Sequence, residues 1–145
     1  MSVGVERLDQ DHRRLLEITG QIENAVVSGA ANVEIGQLLD SLIDYAEGHL
    51  RREEFLMEGL GYEDYGPHRT THDVFRRWIV DFKERYISEG DPGISESVLE
   101  YLNNWWINHI LKADMEYKNL FSARKAEVDA LLAAFDAENP KAASV

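Results

Sequence analysis

The chain contains no cysteine, which removes disulfide frameworks, thiolate zinc sites, iron–sulfur clusters and cysteine nucleophiles together. Basic residues are also short: 15 Lys and Arg face 27 Asp and Glu, for a net charge of −12. A phosphate-backbone partner requires clustered cations, so no nucleic acid is expected to bind. The doublets Arg13-Arg14, Arg51-Arg52 and Arg76-Arg77 are dispersed and read as solvated helix faces. No segment approaches the roughly 20 apolar residues of a membrane span, and the N-terminal MSVGVERLDQDHRR has no apolar run flanked by basic residues. The expectation is a single-domain, soluble, unexported protein of the cytoplasm.

Histidine is present in a pattern. The five histidines are His12 alone, His49 four residues before Glu53, His68 four before His72, and His109 five before Asp114. On an α-helix, residues four apart lie about 40° apart around the axis, so His49/Glu53 and His68/His72 each present two ligating groups in one direction.

Punctuation is sparse, with only three prolines, and it leaves four long helical segments. Asp9 is placed to cap a first helix running to about Val27, ended by Ser28-Gly29-Ala30-Ala31. A second spans about Val33 to Glu58. Gly59, Gly61, Gly66 and Pro67 mark a loop, with Pro67 in the first turn of a third helix that reaches about Ser88. After the break at Ser88–Gly93 a fourth begins near Ile94, and the amphipathic ARKAEVDALLAAFDAE continues as helix, while Asn139 to Val145 should fray. Loops this short join antiparallel neighbours. The reading is all-α, an up-down-up-down antiparallel four-helix bundle with a short C-terminal helical extension, residues 1–137 forming the bundle and 138–145 a flexible tail.

The apolar stripes run through Leu8, Leu15, Thr19, Ile22 and Val26; Leu38, Leu42, Ala46, Leu50, Leu56 and Met57; Phe75, Ile79, Phe82 and Tyr86; and Val98, Leu102 and Trp105. Six of the seven ligand candidates, His12, His49, Glu53, His68, His72 and His109, fall on these stripes and face the core. Five imidazoles and carboxylates in an apolar interior would leave polar atoms unpaired, at about 1–3 kcal/mol each, and cations resolve that conflict. Seven donors exceed the four of a tetrahedral zinc and suit two five- or six-coordinate ions bridged by carboxylates. Iron accepts such a set and manganese is possible, whereas calcium and magnesium want more oxygen. Asp114 is out of phase, since five residues turn about 140° on a regular helix. A π-type widening would restore it, and the stripe resumes at Tyr117 and Phe121 in step with Asp114. The bland reading of Asp114 is a solvated helix residue, which its ligand-bearing neighbours disfavour.

The stretches VGVERLDQDHRRLLEI, HLRREEFLMEGLGY, PHRTTHDVF and WWINHILKAD, spread from Val3 to about Phe121, resemble the hemerythrin family in its bacterial single-domain form. The resemblance implies two irons (Fe2+/Fe3+) with an oxo or hydroxo bridge. His68, His72 and His109 would hold one, His12 and His49 the other, with Glu53 and Asp114 bridging. It also implies reversible dioxygen binding at the five-coordinate iron, the oxygen held as hydroperoxide and released without being consumed, and no catalytic residue. Trp105, Trp106 and Ile110 are candidates for the pocket wall. Trp105 looks like the family's usual tryptophan, while Trp106 stands where the family generally carries leucine; its indole either narrows the pocket or turns outward to pack.

The leading expectation is thus a non-enzymatic oxygen carrier, store or delivery protein whose recipient the sequence does not name. The alternatives are a di-iron enzyme acting on peroxide or nitric oxide, and an oxygen- or redox-sensing module. Ferritin-like oxidases use mostly carboxylates with Glu-x-x-His pairs; the histidine-rich set here favours binding.

Overall fold

The computed structural model describes residues 2–89 and 92–143, and the regular structure among them is entirely helical. Helix α1 spans Glu6–Val27, α2 Asn32–Gly59 and α3 Tyr65–Glu89. The fourth bundle helix is α4, Pro92–Asn108, continued through a π-helical turn, His109–Ala113, into α5, Asp114–Ala123. Helices α6, Lys125–Glu138, and α7, Pro140–Ala143, follow. The expected break at Ser88–Gly93 includes residues 90 and 91, outside the described residues, as are the last two residues of the expected tail; Pro140–Ala143 is helical.

The loops are short because glycines end helices α1 and α2. Gly29 and Gly61 adopt φ of 71° and 67°, a left-handed conformation that costs glycine little. Each closes a Schellman motif: Ala30 N–H reaches Ala25 O and Tyr62 N–H reaches Met57 O, at 2.9 and 2.8 Å. Partners then pair in antiparallel order. On α2 and α3, Glu54 meets His72, Glu47 meets Arg76 and Asn32 meets Tyr86. On α3 and α4, Trp78 stacks on Tyr101 and Phe75 on Trp105.

One expectation is corrected. Asp9 does not cap α1: the helix starts four residues earlier than such a cap implies, at Glu6 behind Val5, whose side chain makes no capping bond. The Asp9 carboxylate instead accepts the Val3 N–H at 2.9 Å and the Ser2 hydroxyl at 2.6 Å. It thereby ties the lead-in to the first helix and holds Val3 and Val5 in the core.

The core is two apolar clusters. The larger runs from Leu15, Ile18 and Leu42 through Phe75, Ile79 and Leu102 to Trp106 and Ile110. The smaller gathers Val3, Leu8, Leu56, Met57, Tyr117, Phe121 and Val128. In α1, His12 separates Leu8 from Leu15; in α2, Glu53 separates Leu50 from Leu56. The polar site lies between two dry layers. The stretch from Ala123 to Phe135 packs back on the bundle, with Val128 and Phe135 buried and Phe135 against Phe55 of α2 at 5.5 Å between ring centroids.

Candidate metal centre

All seven sequence-chosen donors are brought together and buried, none exposed beyond 5 %. His12 comes from α1, His49 and Glu53 from α2, His68 and His72 from α3, His109 and Asp114 from the fourth bundle helix. The π turn puts the last pair in register. Asp114 N–H bonds to His109 O, an i→i+5 bond, and the extra residue in that turn swings Asp114 onto the inward face.

Every histidine points its Nε2 inward. His12 Nε2 lies 3.1 Å from Asp114 Oδ2 and 3.7 Å from Glu53 Oε1, and His49 Nε2 lies 3.5 Å from the same Glu53 Oε1. On the other side, His72 Nε2 is 3.3 Å from Glu53 Oε2, while His68 and His109 Nε2 are 3.2 and 2.9 Å from Asp114 Oδ1. Each carboxylate thus divides its two oxygens between two groups of histidines. The donors form one group of Glu53, His68, His72, His109 and Asp114 and another of His12, His49, Glu53 and Asp114, each with its ligand atoms within 4.8 Å of one another.

The donors fit metal ions better than they fit each other. His12, His49 and His68 Nε2, Glu53 Oε2 and both Asp114 oxygens are buried and make no hydrogen bond, despite their short separations. Atoms that converge without hydrogen-bond geometry are arranged as ligands around a cation. Without a cation, protons substitute. Burial lowers the affinity of His12 and His68 for a proton, but the carboxylates of Asp114 and Glu53 outweigh it and raise the two pKa values to about 10 and about 9. Burial alone would raise the Glu53 pKa, yet the surrounding imidazoles hold it well below the ordinary carboxylate range.

Outside the donors stands a shell that sequence reasoning missed. Asp11 Oδ2 accepts from His49 Nδ1 at 3.2 Å and pairs with Arg52, and Tyr45 donates to Asp11 Oδ1 at 2.9 Å. Glu54 accepts from His72 Nδ1 at 2.9 Å and is held by Arg76 at 2.7 Å. Thr71 Oγ1 lies 3.5 Å from His109 Nδ1, and Tyr117 donates to Glu53 Oε1 at 2.5 Å. These contacts meet the outer nitrogens of His49, His72 and His109 and orient the inner ones, whereas His12 Nδ1 is buried without a hydrogen-bond partner. Two of the arginine doublets are therefore not simply solvated faces: Arg52 is only 2 % exposed, and Arg76 bridges Glu47, Glu54 and Asp73. Each lies beside the inward stripe of its helix, close enough to reach a carboxylate across the helix boundary.

Of the aromatic residues beside His109, Trp106 is completely buried, its ring 6.5 Å from that of His49 and 5.2 Å from Phe75. It packs inward, and its Nε1 has no hydrogen-bond partner. Trp105 is half-buried and lies flat on His109, 4.3 Å between centroids at 9°. Ile110 is buried.

A four-helix bundle with two adjoining donor groups that share a pair of carboxylates is an architecture suited to holding metal ions. Residues 3–121 match the family model of the Hemerythrin HHE cation binding domain, and the chain belongs to that hemerythrin family as a non-haem iron-binding domain. It is 30 % identical to a bacteriohemerythrin of Stenotrophomonas maltophilia over 85 % of this chain and 78 % of that one. A bacteriohemerythrin of Methylococcus capsulatus is 29 % identical over 79 % and 86 % of the two chains. A crystal structure of wild-type hemerythrin superposes with a TM-score of 0.74 at 26 % identity, covering 83 % of this chain and 91 % of that one. No helix among the described residues is long and apolar enough to cross a membrane.

Proposed function

We propose that this domain binds dioxygen reversibly at a di-iron centre, as an oxygen carrier or store rather than an enzyme. His68, His72 and His109 serve one iron, His12 and His49 the other, and Glu53 and Asp114 bridge. The observation that carries the reading is the division of each carboxylate's oxygens between two unequal histidine groups. With five protein donors on one side and four on the other, the group of His12 and His49 would hold its ion with one donor fewer and would leave that ion the open position.

Two irons held there would supply the two electrons that reversible oxygen binding needs. The protein supplies the rest. Two apolar clusters exclude water from both ends of the site, which favours release of neutral dioxygen over loss of a charged species. Trp106 walls the His49 side, Ile110 is buried in the same apolar cluster as Trp106, and Trp105 holds the His109 ring by stacking. Tyr117 fixes Glu53 from outside the donor set.

The test is the visible spectrum of protein reduced without oxygen and then exposed to it. A charge-transfer band that appears with oxygen and fades when oxygen is removed supports the carrier reading. An irreversible change, with oxygen consumed turnover after turnover, supports an oxidase instead.

A further inference from the structure

The outer contacts follow a rule. Each donor group contains one histidine whose outer nitrogen is held by a carboxylate, and each such carboxylate is held by an arginine: His49–Asp11–Arg52 on one side, His72–Glu54–Arg76 on the other. The two arms are not equivalent. Glu54 and Arg76 are 13 % and 22 % exposed, and Arg76 is shared with Glu47 and Asp73 on the bundle surface. Asp11 is fully buried, and Arg52 is 2 % exposed. The Arg52 guanidinium lies 5.3 Å from the centre of the Phe135 ring, so α6, which lies beyond the family-matched residues 3–121, roofs this arm.

We propose that Asp11 is a positioning residue that sets the redox balance of the ion held by His12 and His49. The proposal rests on the di-iron reading above. By accepting the Nδ1–H, Asp11 fixes the His49 tautomer that leaves Nε2 free for the metal, and it locks the ring's rotation. Its negative charge, in a spot that water does not reach, pulls the Nδ1 proton and makes the imidazole a stronger electron donor. A stronger donor favours the more highly charged, ferric state of the ion it binds. Arg52 and Tyr45 occupy the remaining Asp11 lone pairs. They temper its charge and hold it in place, so the acceptor is a fixed one. The Glu54 arm meets solvent, whose higher dielectric weakens the same effect. The buried arm therefore controls the ion with the open position.

The experiment compares wild type with Asp11→Asn and with the neutral pair Asp11→Asn/Arg52→Gln. Asparagine keeps an acceptor for Nδ1–H but loses the charge, and the double variant avoids stranding a buried guanidinium should the single one fail to fold. Two readouts separate the claims. In cobalt(II)-loaded protein, proton NMR should show an exchangeable His49 Nδ1–H displaced far outside the diamagnetic range, which requires His49 to ligate the metal. In iron-loaded protein, the reduction potential should rise from wild type to the double variant and again to the single one, with iron content unchanged. A tenfold fall in the ferric-to-ferrous ratio corresponds to 59 mV for a one-electron couple, and the shift is expected to be of that order. Absence of the displaced His49 signal in wild type overturns both the ligand assignment and the proposal. Its presence, together with a double-variant potential equal to or below that of wild type, overturns only the role of Asp11.

Discussion

Removing the metal should weaken the fold, and the site indicates by how much. Six buried donor atoms on His12, His49, His68, Glu53 and Asp114 have no hydrogen-bond partner in the protein. At about 1–3 kcal/mol for each buried polar atom left unpaired, their combined cost would rival the ~5–15 kcal/mol that holds an ordinary domain together. The metal-free protein escapes part of that cost by protonating His12 and His68, whose pKa values rise to about 10 and about 9, so that imidazolium faces carboxylate. A residual loss of ~3–6 kcal/mol corresponds to a Tm lower by roughly 10–20 °C for a chain of this size. The relief depends on pH. Because the two histidine pKa values are raised above their unfolded value of 6.5, their contribution is fully present below pH 6.5 and lost as pH climbs through about 9 and 10. Glu53 is depressed, so its contribution is present above its unfolded pKa near 4.5 and lost as pH falls through the lower folded value. Metal-free protein should therefore be firmest between those limits and soften first on the alkaline side. Calorimetry of chelator-treated and iron-loaded protein between pH 5 and 10 measures this. Equal melting temperatures across the range, with full loading in one sample and none in the other, would show that the donors do not need a cation.

Other consequences can be tested separately. Iron uptake at neutral pH should release the protons of His12 and His68, roughly two per site, and affinity should fall on acidification; pH change in weakly buffered protein titrated anaerobically with ferrous iron reads this, and uptake without proton release contradicts the site's charge balance. Glu53→Ala should lose iron from both positions because its oxygens face both groups, measured as iron per chain; two irons retained would rule out the bridge. Asp9→Ala should cost ~1–3 kcal/mol by freeing two hydrogen-bond donors, one of them buried, seen as a lower denaturation midpoint, and an unchanged midpoint would show that the lead-in is not anchored there. Trp106→Leu should cost ~2–4 kcal/mol in packing and accelerate both oxygen entry and autoxidation, measured by stopped flow with Trp105→Leu as a packing control; rates equal to wild type would show that the indole does not guard the site.

The fold and the inward donors were legible because helical periodicity encodes them directly. A stripe repeating every three or four residues fixes which face is buried, and placing His12, His49, His68 and His72 on that stripe fixes where they point. Even the π turn was readable, because His109 and Asp114 are out of phase on a regular helix while the stripe resumes in step with Asp114. Asp11, Glu54 and Thr71 carried no such signal. Each sits next to or near a donor in sequence but points sideways, and its value depends on a ring nitrogen 18 to 38 residues away. Arg52 and Arg76 were hidden for the same reason, since a doublet of arginines looks the same whether it points to water or crosses a helix boundary to a carboxylate.

That division has a physical origin in how the two shells are specified. Donor atoms must converge on one point, so each helix is constrained to place its ligand on the inward face. Four helices doing so leave a periodic trace in the sequence. The outer shell needs only one acceptor near each ring nitrogen, and a residue on either neighbouring helix satisfies it. Many sequences therefore meet that requirement, and periodicity selects none of them. The two arms found here show that freedom: one carboxylate comes from α1 for a histidine on α2, the other from α2 for a histidine on α3. Because the shell is loosely specified, its burial and charge can vary without disturbing the inward donors. One arm is buried, with Phe135 against its arginine, and the other meets solvent, and it is in this outer layer that a shared bundle and donor set acquire behaviour particular to one chain.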